Sequence, residues 1–505
     1  SAKPAKHAEV LLAHMVRFSA ILQGHFTGTI SWDVVNISFA PYLCHKSDKE
    51  VRQFAQMLVY EFSQLAATRG GQALYTDIHL YYDMPDTWAN LPAIGPEGLT
   101  TGKTYRDYTS EAQRFTRAIF EVFKKGDATG KPFILPRPLL HITGGFWFEP
   151  GADELLNLAC DVAGCKGNTC FAFERPEEAL TTGCFNDVFL KDASVRGERD
   201  KPWLMRQAAI QSVTLNLPRL GYKAEGHETK LFEQLKKMMA TAVQAHIQKK
   251  DFLEKLLSFA EQGPLAVLAM NADGSPLLRM NRAYYIIGLV GLNELARICK
   301  GSEMHESQEA TDFGLKVVGF LHREAGRLSS EFGMKFVLEQ SPAETTAYRF
   351  ARLDLKYFSP EAGRYVLGDI AEGSIYYTNS TCLNTAADIT PLLKVQEEGK
   401  FHRYLAGEVI THLQLGDVHP GVEVLGRFVK RVFKESASRQ IDFTPEFTSC
   451  LACGKTTRGL KGKCVYCGSS DVEGIAKLTK YLSRVSGWNR GKLAELRNRK
   501  ISRDF

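Results

Sequence analysis

The chain has no adjacent cysteine pair, no low-complexity tract and no internal repeat. It also lacks a long apolar run. The longest such stretch, residues 283–292, falls far short of the roughly 20 residues a membrane-spanning helix needs. No charged, apolar and small-residue sequence of the kind that forms a secretory leader is present at the start. The expectation is a soluble cytoplasmic protein with no membrane partner. Charge of one sign is scarce: 63 Lys and Arg against 57 Asp and Glu leave +6 over 505 residues. That balance does not call for nucleic acid but tolerates polyanionic small molecules such as nucleotides. Eleven cysteines are an odd number, and four of them sit in two tight pairs. This usage reads as metal-binding and catalytic thiols in a reducing compartment rather than a disulfide scaffold.

What is present is a large apolar core and an alternation of helix and strand signals. Hydrophobic residues make up 44% of the chain and charged residues 24%, the composition of a folded globular protein. Leu11, Met15, Phe18 and Leu22 recur at helical spacing, as do Val51, Phe54, Leu58, Phe62 and Leu65. Residues 73–82 read as a strand, 92–102 as a Gly/Pro-rich loop, 111–125 as a helix and 131–143 as extended chain. Residues 151–200 show weak periodicity and read as irregular. Val213, Leu215 and Leu217 alternate as a strand stopped by Pro218. Helices are predicted over 228–262 and 306–332, a short strand and turn over 264–275, a strand over 336–339, and a helix opened by Pro342. Repeated alternation of this kind favours an α/β architecture, with a barrel as the natural closure. The character changes near residue 445, where Cys, Gly and Lys become dominant. This divides the chain into 1–445, 446–470 and 471–505.

The strongest spacing signal is Cys450-x-x-Cys453 followed, ten residues on, by Cys464-x-x-Cys467. Two such knuckles arrange four thiolates tetrahedrally around one Zn²⁺ at about 2.3 Å, and four thiolates close the shell, so the site is structural. Gly454 and Gly468 follow the knuckles where the chain must turn sharply. Lys455, Arg458, Lys461 and Lys463 nearby read as a solvated basic surface. Gly98, Gly102, Lys103 and Thr104 imitate a phosphate-binding loop, but three residues separate the glycines where four are needed, and no apolar strand precedes them. His79, His141 and His402 show no metal-ligand spacing and read as structural.

Beyond the zinc knuckles comes Arg484-Val485-Ser486-Gly487-Trp488. Together with the four cysteines, this segment resembles the C-terminal radical loop of glycyl-radical enzymes. Loss of the glycine α-hydrogen leaves a planar radical delocalised over both flanking amides, and a Cβ would crowd that geometry. Further segments are similar to the anaerobic, class III ribonucleotide reductases, in order along nearly the whole chain. They are Pro4-Ala5-Lys6-His7, Arg69-Gly70-Gly71-Gln72, residues 126–133, 212–219 and 287–294, Ser341-Pro342-Ala343-Glu344-Thr345-Thr346, and Tyr377-Thr378-Asn379-Ser380.

That resemblance implies a ten-stranded α/β barrel with an inner finger loop, a zinc-ribbon-like module and a glycyl-radical loop. It implies reduction of ribonucleoside triphosphates to 2′-deoxyribonucleoside triphosphates, as precursors of DNA. A radical-SAM activase would generate the radical at Gly487, which passes it to a cysteine on the finger loop. Cys184, after Gly183, fits that cysteine; Cys160, Cys165 and Cys170 are upstream alternatives. Asn216 would face the ribose hydroxyls. Pro342, Ala343, Glu344, Thr345 and Thr346 would cradle phosphate at a helix start, with Glu344 awkward there unless it points away. Cys382 would belong to a thiol pair re-reduced by a redoxin, formate being the other family reductant. Nucleotide effectors and a homodimer are also implied. The family's N-terminal ATP-binding cone and early active-site cysteine are not recognisable; Cys44 lies in an unrelated, loop-like segment. Two other readings stay open: a glycyl-radical lyase acting on a small acid, against which the zinc site and the missing Cys-Cys pair argue, and a non-catalytic relative that keeps fold and zinc.

Overall fold

The computed structural model describes residues 3–68, 73–175, 201, 206–271 and 274–505. A six-stranded sheet runs in the spatial order Ile30–Trp32, Thr76–Tyr81, Arg137–Ile142, Cys170–Phe173, Gln440–Pro445 and Ile410–Gly416. Its first four strands are parallel. Gln440–Pro445 runs against Cys170–Phe173 and alongside Ile410–Gly416. A second sheet holds Ala209–Asn216, Tyr284–Val290 and Lys335–Glu339, all parallel. Parallel neighbours need long crossovers, and helices supply them.

Strand side chains alternate between faces, and here the two faces differ in chemistry. Ile78, Leu80, Leu140, Ile142, Phe171, Phe173, Ile441 and Phe443 enter one apolar core. The helices Ala8–Gln23, Val35–Leu43, Asp48–Thr68, Thr109–Lys125, Ala152–Lys166 and Val422–Glu435 supply most of its remainder. The alternate positions Asp77, His79, Arg137, His141 and Asp442 are polar yet buried. A second core joins Leu215, Ile287, Leu289 and Leu338 of the smaller sheet to the helices Leu217–Ala224, Glu228–Leu257, Leu292–Lys300 and Gln308–Phe332.

The α/β class agrees with the alternation read in the sequence. A closed ten-stranded barrel is not found among the described residues. The two sheets meet at one edge, where Glu339 bridges Ala406 in parallel and the Gln340 amide oxygen accepts from Ile410 N at 2.8 Å. Pro342 follows and has no N–H to extend a ladder. Residues 151–200 are not uniformly irregular: Ala152–Lys166 is a helix that buries Leu155, Leu156, Ala159, Cys160, Val162 and Ala163, and Cys170–Phe173 is a fully buried strand. Its small and mixed residues weaken the periodic signal without weakening the packing. Residues 92–104 form a hairpin, Pro92–Ile94 with Thr100–Thr104, rather than a plain loop. Ala266–Ala269 is one helical turn where a strand was expected. The first helix buries Leu12, Met15, Val16 and Ser19, so its inner face is turned slightly from the one predicted.

The four-stranded sheet of the zinc module has the order Thr456–Arg458, Phe447–Cys450, Val472–Lys477 and Leu482–Arg484, all antiparallel. It runs continuously across residue 470, so the knuckles and the segment leading to Gly487 share one scaffold. Among the described residues no helix is long and apolar enough to cross a membrane.

The scaffold is pinned to the larger sheet by a buried ion pair, Lys477 Nζ to Asp442 Oδ2 at 2.7 Å, with the two side chains 2% and 0% exposed. Burial opposes ionisation of Asp442, but His412 and Lys477 outweigh it and hold the carboxyl well below its usual range. The stabilisation is therefore complete above the ordinary aspartate pKa of about 3.9 and is lost as the pH falls below it. Replacing Lys477 by Met should lower the unfolding free energy at neutral pH by about 3 kcal/mol, because a buried carboxylate loses its closest cation; denaturant titration measures this, and an unchanged midpoint would refute the tether.

Candidate active site and metal centre

A cavity of about 1790 Å³ is lined by both sheets. Ser31, Asp33 and His79 face it from the larger sheet and its margins, and Gln211, Ser212, Ile286 and Glu339 from the smaller. Residues 342–346 form part of the wall, as do residues 478–484 of the C-terminal tail. The tail is held inside by specific contacts. Lys480 Nζ lies 2.8 Å from Glu408, and Tyr481 donates to Asp77 Oδ1 at 3.1 Å. Arg137, buried beneath, joins Asp77 and Glu408 at 2.7 and 2.5 Å. Burial pushes Asp77 up to about 7. Glu408, although buried, is held well below the normal glutamate range by Arg137 and Lys480.

The expected phosphate cradle lines this cavity, with one change. The helix begins at Thr346, not at Pro342. Ala343 adopts a left-handed φ of 49°, which a helix cannot continue through, so residues 342–345 form an open turn before it. The Glu344 carboxylate accepts from Thr479 Oγ1, which also lines the cavity, at 2.5 Å, and its carbonyl accepts from Asn489 Nδ2 at 2.9 Å. Cradle and tail are thus one hydrogen-bonded unit.

Gly487 sits in a short turn, Val485–Gly487, immediately after the strand Leu482–Arg484. It is exposed, three residues beyond the cavity wall at Arg484. A Cβ built on it would meet nothing within 4 Å, so packing does not require glycine here. Trp488 is buried and donates to Ser483 Oγ at 2.9 Å, which anchors the turn. Cys184 lies outside the described residues, as does Arg69-Gly70-Gly71-Gln72. Of the alternatives, Cys160 and Cys170 are fully buried, and that burial drives both thiols up out of reach of ionisation; Cys165 is on the outer helix Ala152–Lys166.

Asn216 and Cys382 are not among the described residues that line the cavity. Asn216 ends its strand as the cap of helix Leu217–Ala224, accepting from Arg219 N at 3.2 Å and donating to Asp354 at 2.9 Å. Both ends of its amide are occupied. Cys382 is partly buried and its sulfur accepts from Gln340 Nε2 at 3.4 Å. Burial raises its thiol pKa. Cys44 directly follows the helix Val35–Leu43 and donates to Pro41 O at 3.3 Å.

Sequence reasoning set His79 and His141 aside. The structure places them in a continuous hydrogen-bonded line with Ser31 and Glu174. The signal was there: Asp77, His79 and Tyr81 alternate in Thr76–Tyr81, and Arg137 and His141 lie on one face of Arg137–Ile142, in strands whose positions are all buried.

Cys450, Cys453, Cys464 and Cys467 converge as a four-thiol group. The sulfur separations of 3.6 and 3.7 Å match the roughly 3.8 Å edge of a tetrahedron with 2.3 Å bonds. Backbone N–H groups of Cys453 and Tyr466 point at Cys450 and Cys464 sulfur at 3.4 Å. These four residues would hold zinc and give it a closed, structural shell. A second group, Asp161, Cys165 and His419, also converges. Its 3.0 and 2.9 Å separations are those of hydrogen bonds to a thiol, and Lys124 is ion-paired to Asp161 at 2.7 Å; this is a hydrogen-bonded cluster. The protein should carry about one zinc per chain. Cys464→Ser should reduce that to near zero in elemental analysis while the radical loop loses protease resistance; retention of zinc would disprove the ligand set.

The model of the family described as anaerobic ribonucleoside-triphosphate reductase matches residues 1–501. The chain is 25% identical over 305 residues to the anaerobic ribonucleoside-triphosphate reductase of Salmonella typhimurium, covering 57% of this chain and 41% of that protein. It is 24% identical to the enzyme of the same name from Enterobacteria phage T4, covering 98% of this chain and 82% of that one. The anaerobic ribonucleotide reductase of Thermotoga maritima, solved with dATP and CTP, shares the fold with a TM-score of 0.74 at 18% identity, over 98% of this chain and 78% of that chain. A glycyl radical enzyme from Archaeoglobus fulgidus shares it at 0.56 and 13% identity, over 93% of this chain and 65% of that one. With a family model matched over almost its entire length, and a four-cysteine group leading into a glycine loop beside a large cavity, the chain belongs to the anaerobic ribonucleoside-triphosphate reductase family.

Proposed function

We propose that this protein reduces ribonucleoside triphosphates to 2′-deoxyribonucleoside triphosphates by glycyl-radical chemistry. The observation that carries this reading is that one continuous tail links the four-cysteine module, the wall of the cavity and Gly487. A radical-SAM activase removes the Gly487 α-hydrogen. The radical passes to Cys184, whose thiyl takes the ribose 3′-hydrogen, and the 2′-hydroxyl leaves as water. Residues 342–346 receive the triphosphate through backbone N–H groups at the start of helix Thr346–Phe358, with the Glu344 carboxylate hydrogen-bonded to Thr479. The cavity walls limit access of water to the thiyl and sugar radicals formed within it. Nucleotide effectors, a homodimer and a cytoplasmic setting accompany the reading. The geometry of Asn216 favours a strand-end cap over a ribose contact.

Because a Cβ at Gly487 meets no neighbour, Gly487→Ala should fold and bind zinc as the parent does. After anaerobic activation, the parent should give a glycyl doublet by electron paramagnetic resonance and form deoxyribonucleotides; the variant should give neither. A persisting doublet, or a doublet in the parent without deoxyribonucleotide product, would overturn the proposal.

Cys382 is assigned to the reducing thiols. Cys382→Ser should abolish turnover driven by a redoxin while sparing turnover driven by formate. Normal redoxin-driven turnover would remove Cys382 from the mechanism.

A further inference from the structure

A line of hydrogen bonds runs from the cavity into the body of the larger sheet. Ser31 is exposed to the cavity and its Oγ lies 2.8 Å from His79 Nε2. His79 Nδ1 lies 2.8 Å from His141 Nε2, and His141 Nδ1 lies 2.5 Å from Glu174 Oε1. Both imidazoles are buried, and Glu174 is 14% exposed. The line is held rigidly. Tyr81 stacks on His141 with ring centroids 4.1 Å apart and donates to Glu174 at 3.1 Å. Each ring nitrogen has one partner in the line, so each imidazole can accept on one side while donating on the other.

We propose that Ser31, His79, His141 and Glu174 form a proton relay serving the ribose in the cavity, an inference that rests on the reductase reading above. Once the 3′-hydrogen is gone, the sugar radical loses water. The C2′–O bond breaks, the 3′-O–H bond breaks, a carbonyl forms at C3′, and the unpaired electron moves to C2′. One proton must reach the departing oxygen and one must leave the 3′-hydroxyl. Ser31 hands its hydroxyl proton to the departing oxygen and is refilled by His79 Nε2. His79 Nδ1 is refilled from His141 Nε2, and His141 Nδ1 from the Glu174 carboxyl. The 3′-hydroxyl proton then travels the same path in reverse and restores every starting tautomer and the Glu174 proton. The two strokes cancel, so no outside acid, base or electron source is needed. No imidazole has to become cationic at rest, which fits the burial that holds His79 well below the normal histidine range. Asp33, beside His141 and Glu174, is pushed up to about 6 by burial. Ser31 is the catalytic residue of the four; the other three act through it.

The test uses the activated full chain with a ribonucleoside triphosphate. Ser31 faces open space, so Ser31→Ala should keep zinc content and glycyl-radical yield. Its kcat should drop about a hundredfold, the typical loss of a proton-transfer group, with KM within about twofold of the parent. His141→Asn should show the same split. Ser31→Thr retains the hydroxyl and should restore most of the rate. The relay is overturned if Ser31→Ala keeps kcat within about twofold of the parent, or if Ser31→Thr is as slow as Ser31→Ala, which marks a packing role. A parent enzyme that forms no deoxyribonucleotide at all would instead count against the reductase reading.

Discussion

The arrangement of the molecule depends on charges buried on the inner face of the larger sheet. Arg137 holds Asp77 and Glu408 together, and these two carboxylates, with Asp442, in turn receive Tyr481, Lys480 and Lys477 from the tail. Isolated charges at such depth would be prohibitive, and each carboxylate is tolerable only while its cation is in place. The sheet therefore specifies where the tail must lie. Apolar packing could hold the tail as firmly, but would not fix its register to a single residue; the alternation of Lys477, Lys480 and Tyr481 with their acceptors does.

That register has chemical consequences. Once Lys480 and Tyr481 are docked, Thr479 reaches the Glu344 carboxylate. Asn489 then bonds the Glu344 carbonyl from the far side of the glycine turn. The four-cysteine module braces the same sheet, since Cys450 ends the strand Phe447–Cys450, which pairs with Val472–Lys477, and Leu482–Arg484 pairs with Val472–Lys477 in turn. The four-cysteine module, the tail and residues 342–346 form one connected unit, with Gly487 at its end.

The inner face is polar for a second reason. His79 and His141 occupy the same alternating rows as Asp77 and Arg137. One end of the face clamps the tail through fixed ions. The other carries the hydrogen-bonded line of Ser31, His79, His141 and Glu174. Two chemistries share one sheet because the period of two keeps both rows away from the apolar core.

The sequence by itself determined the α/β class, most helices and strands, the four-thiol site and the glycine loop. These signals are local: helical spacing in Asp48–Thr68, paired knuckles at fixed intervals, and a short run ending at Trp488. It understated Ala152–Lys166, whose small residues blur the period, and it placed the start of helix Thr346–Phe358 too early because it could not show Ala343 in a left-handed conformation. Only the tertiary structure decided that the Asn216 amide meets Asp354, that Glu344 turns to the tail, and that His79 and His141 join Ser31 and Glu174. Those outcomes depend on partners tens to hundreds of residues apart in the chain, brought within hydrogen-bond distance only when the strands align in register.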